Sequence, residues 1–202
     1  PTRMELLRLR RRLVVARRGH KLLKDKLDGL MKEFMQVAKE YKTARLAVDE
    51  ELPYVLKLFV LAEITSSRLV TENALENTKQ ALDLNVLQRR LMAVIVPQFE
   101  IVFGKSSGGY SFVHTSPELD QAIVRLKEFL PKLLRMAELE EIVRRLSREI
   151  EKTRRRVNAL EHTFIPRMVE TVKFITSKLD EMERSNTSRL MKIKAQRMSE
   201  GI

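Results

Sequence analysis

From Leu6 to Ala62 a mostly apolar residue recurs at alternating steps of three and four. One series is Leu6, Leu13, His20, Leu27, Phe34, Tyr41, Val48, Val55 and Ala62. The interleaved series is Leu9, Ala16, Leu23, Leu30, Val37, Ala44, Glu51 and Leu58. These are the a and d positions of successive heptads, and only His20 and Glu51 depart from the rule. A stripe of this kind predicts one long helix whose single seam is buried against another helix. At 1.5 Å per residue it would run for about 85 Å. Thr2 followed by Glu5 is a capping-box signature for its start. Pro53 lies off the seam, where a missing backbone donor predicts a kink.

Beyond Thr65 the strict period dissolves. A second helical stretch is predicted from Ser67 to Val94, weakened by Asn73, Asn77 and Asn85. Between Pro97 and Pro117 the period becomes two. Phe99, Ile101 and Phe103 alternate with Glu100 and Val102, and Tyr110, Phe112 and His114 alternate with Ser111 and Val113. Gly104, Ser106, Ser107, Gly108 and Gly109 lie between, so a β-hairpin near 99–114 is expected, leaning on other structure. Ser116 before Pro117 marks the next helix start, as N-cap and first-turn proline. A heptad then runs through Leu139, Val143, Leu146, Ile150, Thr153, Val157, Leu160 and Phe164. Two steps of four, to Met168 and Val172, precede its resumption at Ile175, Leu179, Met182 and Asn186. Such a stutter, here with Pro166 inside it, locally unwinds a coiled coil. Pro131 marks an earlier bend.

The expected fold class is therefore mainly all-α. A long antiparallel two-helix coiled coil forms from an N-terminal arm (1–66) and a C-terminal arm (136–202), joined by a shorter helical middle region with a small β-hairpin (67–135). Each arm is too narrow-striped to stand alone, and the simplest partner is the other arm of the same chain. Self-association of two chains is the rival arrangement.

Composition supports long solvated helices over a compact enzyme: aromatics are 5%, Trp is absent, Gly and Pro number six each and charged residues make up 33%. There is no cysteine, which removes disulfides and thiolate metal sites. The longest apolar stretch, 52–64, is interrupted by Lys57 and Glu63 and is too short to span a bilayer, so no direct membrane insertion is expected. The Arg-rich start keeps the heptad and does not form the apolar run of a signal peptide. The net charge is +12, and its distribution is uneven. Residues 1–26 carry ten Lys/Arg and two acids, residues 184–202 carry five and one, and the segment between them is neutral. If the termini lie together, they form one basic tip.

Candidate chemistry is sparse. Gly104-Lys105-Ser106 lacks the upstream glycine and strand-to-helix setting of a phosphate loop, and no G-x-S-x-G is present. His20, His114 and His162 share no metal spacing, so neither a metal nor a cofactor is expected. His20 and Glu51, as polar seam residues, read as register markers. The candidate partner-contact residues are the basic group Arg10, Arg11, Arg12, Arg17 and Arg18, the run Arg154, Arg155 and Arg156, and the hairpin aromatics Phe99, Phe103, Tyr110 and Phe112. Gly19 and Gly29 lie off the seam, where close approach of a neighbouring protein and simple tolerance are both open. A basic coiled-coil nucleic-acid-binding or scaffold protein is the alternative reading, but it rests on charge alone: no recognition motif and no aromatic stacking accompany the basic ends, so no nucleic-acid partner is expected.

Two segments carry a family signature. The first is Pro1-Thr2-Arg3 with Leu6-Leu7, Ala16, Gly19 and Leu22-Leu23-Lys24-Asp25-Lys26-Leu27-Asp28. The second is Arg154-Arg155-Arg156-Val157-Asn158-Ala159-Leu160-Glu161, followed by Ile165-Pro166-Arg167 and Leu179-Asp180-Glu181-Met182-Glu183-Arg184. Together they resemble the D-subunit family of the V/A-type rotary ATPases, across both arms and only weakly in the middle. The resemblance implies a non-catalytic central-stalk rotor that binds no nucleotide and transmits torque. Its coiled coil would insert into a ring of alternating catalytic and regulatory subunits. Its other end would hold the small central-stalk F-subunit and dock on a membrane-side adaptor above the rotor ring that carries protons or sodium ions. The expected setting is bacterial or archaeal, cytoplasmic, and peripheral to the membrane as part of the complex.

Overall fold

The computed structural model describes residues 2–77, 82–104 and 115–199. In chain order the elements are α1 (Arg3–Ser66), α2 (Arg68–Asn77), β1 (Leu82–Leu91), β2 (Val94–Phe103), α3 (Pro117–Ala159), a π-helical turn (Leu160–Phe164) and α4 (Ile165–Ser199). The chain divides into two compact units, Pro1–Gly29 with Glu151–Ile202, and Leu30–Ile150.

In the unit Leu30–Ile150, α1 and α3 pack along the heptad seam. Leu30, Val37, Leu139, Ile142 and Leu146 form one buried cluster with Val96 of the hairpin. Val48 and Val55 cluster with Phe129 and Met136, and Ala62 clusters with Leu119 and Ala74 of α2. As numbers rise along α1 they fall along α3, so the two helices are antiparallel and the pairing is within one chain. Not one of the a and d positions from Leu6 to Ala62 is exposed. Pro53 and Pro131 are exposed, and the chain stays helical through both. α1 ends where Ser67 takes a positive φ of 78°. The Ser67 N–H donates to the Glu63 carbonyl at 3.1 Å, and the Ser67 carbonyl accepts the Thr71 N–H at 3.2 Å, closing one helix and opening the next.

The expected second helix is shorter than its sequence suggests. α2 stops at Asn77, and Leu82–Leu91, read above as helix, is a strand. It pairs antiparallel with β2 from Leu82↔Phe103 to Leu91↔Val94. Phe99, Ile101 and Phe103 do lie on a strand, but their partners are Val86, Leu84 and Leu82. Residues 110–114, expected to be the second strand, lie outside the described residues. The two-residue turn is Met92-Ala93, with Met92 at φ 51°. A positive φ at the first central position normally calls for glycine, and none announces this turn in the sequence.

In the other unit, Thr2 caps α1: its Oγ1 accepts the Glu5 N–H at 3.3 Å, and its carbonyl accepts the Leu6 N–H at 3.1 Å. Arg3 pairs with Glu183, and His20 meets Glu161 at 3.3 Å, again in antiparallel order. Val157, Met168 and Ile175 are buried. The stretch between Val157 and Met168 holds the π-turn, where the Ile165 N–H donates five residues back to the Leu160 carbonyl. A π-turn admits one extra residue and re-spaces the hydrogen-bond ladder just where Pro166, lacking its own N–H, would otherwise strain it. Ser116 precedes α3 as expected, but through its carbonyl, which accepts the Leu119 N–H at 3.0 Å; its buried hydroxyl has no hydrogen-bond partner among the described residues.

Candidate interaction surfaces

The polar groups of this fold fasten helices and hairpin together. Across the seam, Glu51 accepts from Lys132, and Arg135 reaches Glu40 at 4.0 Å. Both polar seam positions, His20 and Glu51, thus meet a charged side chain on the antiparallel helix. Exposed pairs of this type contribute roughly 0–1 kcal/mol each, so they fix alignment more than stability. The hairpin is tied to α3 at two points on β2. The Arg145 guanidinium donates to the Ile95 carbonyl at 2.8 Å, and buried Glu138 accepts the Phe99 N–H at 3.4 Å while held by Arg135 at 2.7 Å. Glu141 in turn steadies Arg145 at 2.7 Å. Hydrogen bonds from Arg145 first, and then from Arg144, hold the Glu141 carboxyl below its ordinary range, against the opposing effect of its partial desolvation. Among the described residues no group of three or more His, Asp or Glu is placed to hold a metal ion, and no helix is long and apolar enough to cross a membrane.

Arg10, Arg11, Arg12, Arg17 and Arg18 are all exposed on α1. Arg154, Arg155 and Arg156 are exposed on α3, with Arg155 paired to Glu151 one turn back. A continuous helix fans three successive arginines over about 200°, so the run presents no single basic face. Phe99 is half-buried and, with Ile101, Pro131 and Leu134, lines a cleft of ≈ 290 Å³ between hairpin and α3. Phe103 closes β2, while Tyr110 and Phe112 lie outside the described residues.

Sequence reasoning missed the apolar surface off the seam. In the unit that holds both termini, a groove of ≈ 850 Å³ runs along the first turns of α1. Leu7, Val15, Ala16 and Gly19 of α1 line it together with Leu160 and Phe164 of the π-turn, and Glu5, Arg8, Arg11 and Arg12 supply its charged groups. Val15 is 68% exposed and Phe164, a seam position by spacing, is 51% exposed. A glycine at position 19 costs about 1 kcal/mol of helix stability relative to alanine. The available signal was the set of apolar residues at non-seam positions, Met4, Leu7 and Val15. In the other unit, β1 carries exposed Leu82, Leu84 and Val86, and the end of α1 and start of α2 carry exposed Ile64 and Leu69. Apolar residues gathered in this way mark surfaces that other proteins cover.

Comparison with known proteins gives these surfaces a context. A family model described as the ATP synthase D-subunit matches residues 5–195. The V-type ATP synthase D-subunit of Thermoanaerobacter sp. (strain X514) is 48% identical over 196 residues, covering 96% of this chain and 94% of the relative. That of Fusobacterium nucleatum is 47% identical over 197 residues, 96% and 93% of the two chains. That of Acetivibrio thermocellus is 48% identical over 198 residues, 96% and 89%.

Proposed function

Since the chain belongs to the ATP synthase D-subunit family, we propose that it is the non-catalytic central-stalk rotor subunit of a V-type ATPase, carrying torque between the nucleotide-processing ring and the ion-translocating membrane rotor. The observation that carries this reading is near-50% identity over almost the whole chain to relatives named as that subunit. The fold suits the task. Two antiparallel helices locked along a seam resist twisting better than one, and the polar seam pairs His20–Glu161 and Glu51–Lys132 oppose sliding between them.

Partners of the chain are other subunits of that complex. The finer assignments are part of the proposal. The paired arms, 1–66 and 136–202, form the shaft. The basic group Arg10, Arg11, Arg12, Arg17 and Arg18 turns inside the ring of catalytic and regulatory subunits, where long-range attraction to acidic loops helps to hold it. Arg154 and Arg156, unlike Arg155, have no ion pair among the described residues and are available to the same ring. The hairpin and the α1–α2 corner offer their apolar surface to the small F-subunit and the membrane-side adaptor. The complex would work on the cytoplasmic face of the membrane, with this chain peripheral to it.

Reconstitution with and without the chain tests the reading. A complex lacking it should still hydrolyse ATP in the ring but translocate no ions, and adding the chain should restore coupling. Full ion transport in its absence, or a chain that never co-purifies with the ring, would refute the assignment.

A further inference from the structure

Gly19 lies in the N-terminal part of α1, and a Cβ built at that position meets nothing within 4 Å beyond the helix's own local backbone. Packing within the chain therefore supplies no reason for one of the poorest helix-forming residues to stand there. The vacancy is part of the groove lined by Leu7, Val15, Leu160 and Phe164. The charged part of the lining is mainly basic, three arginines against the single carboxylate of Glu5. Arg11 and Arg12 have no ion pair among the described residues, and Arg8 reaches only Glu5 at 3.9 Å. An apolar trough beside uncompensated guanidiniums is complementary to an apolar side chain carried between carboxylates. A second copy of this chain is a poor occupant, since residues 1–26 hold ten Lys/Arg against two acids and would repel their own kind.

We infer that this groove receives an apolar side chain from an acidic helix or loop of the surrounding ATPase ring, and that Gly19 is small to leave room for it. The inference rests on the rotor reading and adds a shape-specific contact to what would otherwise be charge attraction alone. The two forces respond differently to salt: guanidinium–carboxylate attraction across solvent weakens as salt rises, whereas occupancy of an apolar groove persists.

The test uses the full chain and the reconstituted ring of catalytic and regulatory subunits, with binding measured at low and high salt. Gly19→Ala should bind as the unaltered chain does. Gly19→Phe, which fills the groove, should keep the helicity of the chain and lose ring affinity by about tenfold or more at both salt levels. Arg11→Gln with Arg12→Gln should weaken binding at low salt and little at high salt. If Gly19→Phe melts below the unaltered chain, Phe164→Ser, also in the groove lining, is read in its place, with the same loss expected. Ring binding by Gly19→Phe equal to that of the unaltered chain, with the arginine variant still weakened, would overturn the inference while leaving the rotor reading intact. Disrupted self-association with ring binding unchanged would overturn it too and assign the groove to a second copy. No ring binding by the unaltered chain would refute the rotor reading itself.

Discussion

Leu146→Ala is the sharpest probe of the seam. Leu146 has no exposed surface and shares one cluster with Leu30 of α1 and Val96 of the hairpin, so three elements meet around it. Truncation removes three carbons, worth about 2.4 kcal/mol at roughly 0.8 kcal/mol each. The space left behind adds a cavity term, because two long helices and a tied hairpin cannot collapse into it freely. Together these give a loss of about 3–4 kcal/mol, within the range of buried Leu→Ala changes. For a chain of this size each kcal/mol lowers the melting temperature by about 2–4 °C, so a fall of about 6–16 °C is expected. Leu46→Ala is the control: Leu46 lies on α1, the partner helix of the seam, but is 54% exposed, and its loss should stay near 0.5 kcal/mol or below. Urea unfolding followed by far-ultraviolet circular dichroism measures both. A loss below about 1 kcal/mol for Leu146→Ala, or equal losses for the two variants, would refute the argument that a narrow seam holds this unit together.

Two further predictions concern the hairpin. Met92→Gly relieves a side chain at φ 51° and should raise stability by about 0.5–1 kcal/mol after the extra freedom of the unfolded glycine is counted, read as slower amide exchange in β1 and β2; faster exchange would show that the turn is unstrained. Arg145→Met removes the donor to the Ile95 carbonyl and should loosen the hairpin by about 1 kcal/mol, or about fivefold faster exchange in β2. The same tie is acid-sensitive. Because the folded-state pKa of Glu141 is depressed, its stabilisation is complete above the ordinary value of 4.5 and is lost as pH falls through the lower folded value. Protection of the β2 amides, taken relative to the intrinsic exchange rate at each pH, should therefore fall on acidification in the unaltered chain and change less in Glu141→Gln.

The α1 seam was fully legible because a two-helix interface is a one-dimensional problem: each of its buried positions is set by spacing alone, and even His20 and Glu51 were found where spacing put them. The stutter before Met168 was legible for the same reason, although nothing in the residue pattern distinguishes a relaxed coiled coil from the π-turn that is present. β1 was not legible. Leu82, Leu84 and Val86 do alternate with Asp83 and Asn85, but Met92 and Ala93 are good helix formers, and no glycine marked the reversal between them. The strain is instead borne at Met92, a cost visible only in the backbone. The groove at Gly19 was half legible. The glycine itself drew notice, but its open surroundings depend on where the π-turn places Phe164.

That turn has a mechanical corollary. Buried Val157 and Met168 are eleven residues apart, whereas Met168 and Ile175 are separated by seven. A seven-residue spacing winds two helices around each other in a left-handed sense, while eleven residues over three turns leaves them straight or faintly right-handed. Torque of one sense tightens a left-handed winding and torque of the other sense loosens it. A short segment without that chirality interrupts the bias, so a shaft containing it strains more evenly under clockwise and counter-clockwise load. In a shaft under torque, the extra residue between Leu160 and Phe164 would spread the strain more evenly between the two senses of twist.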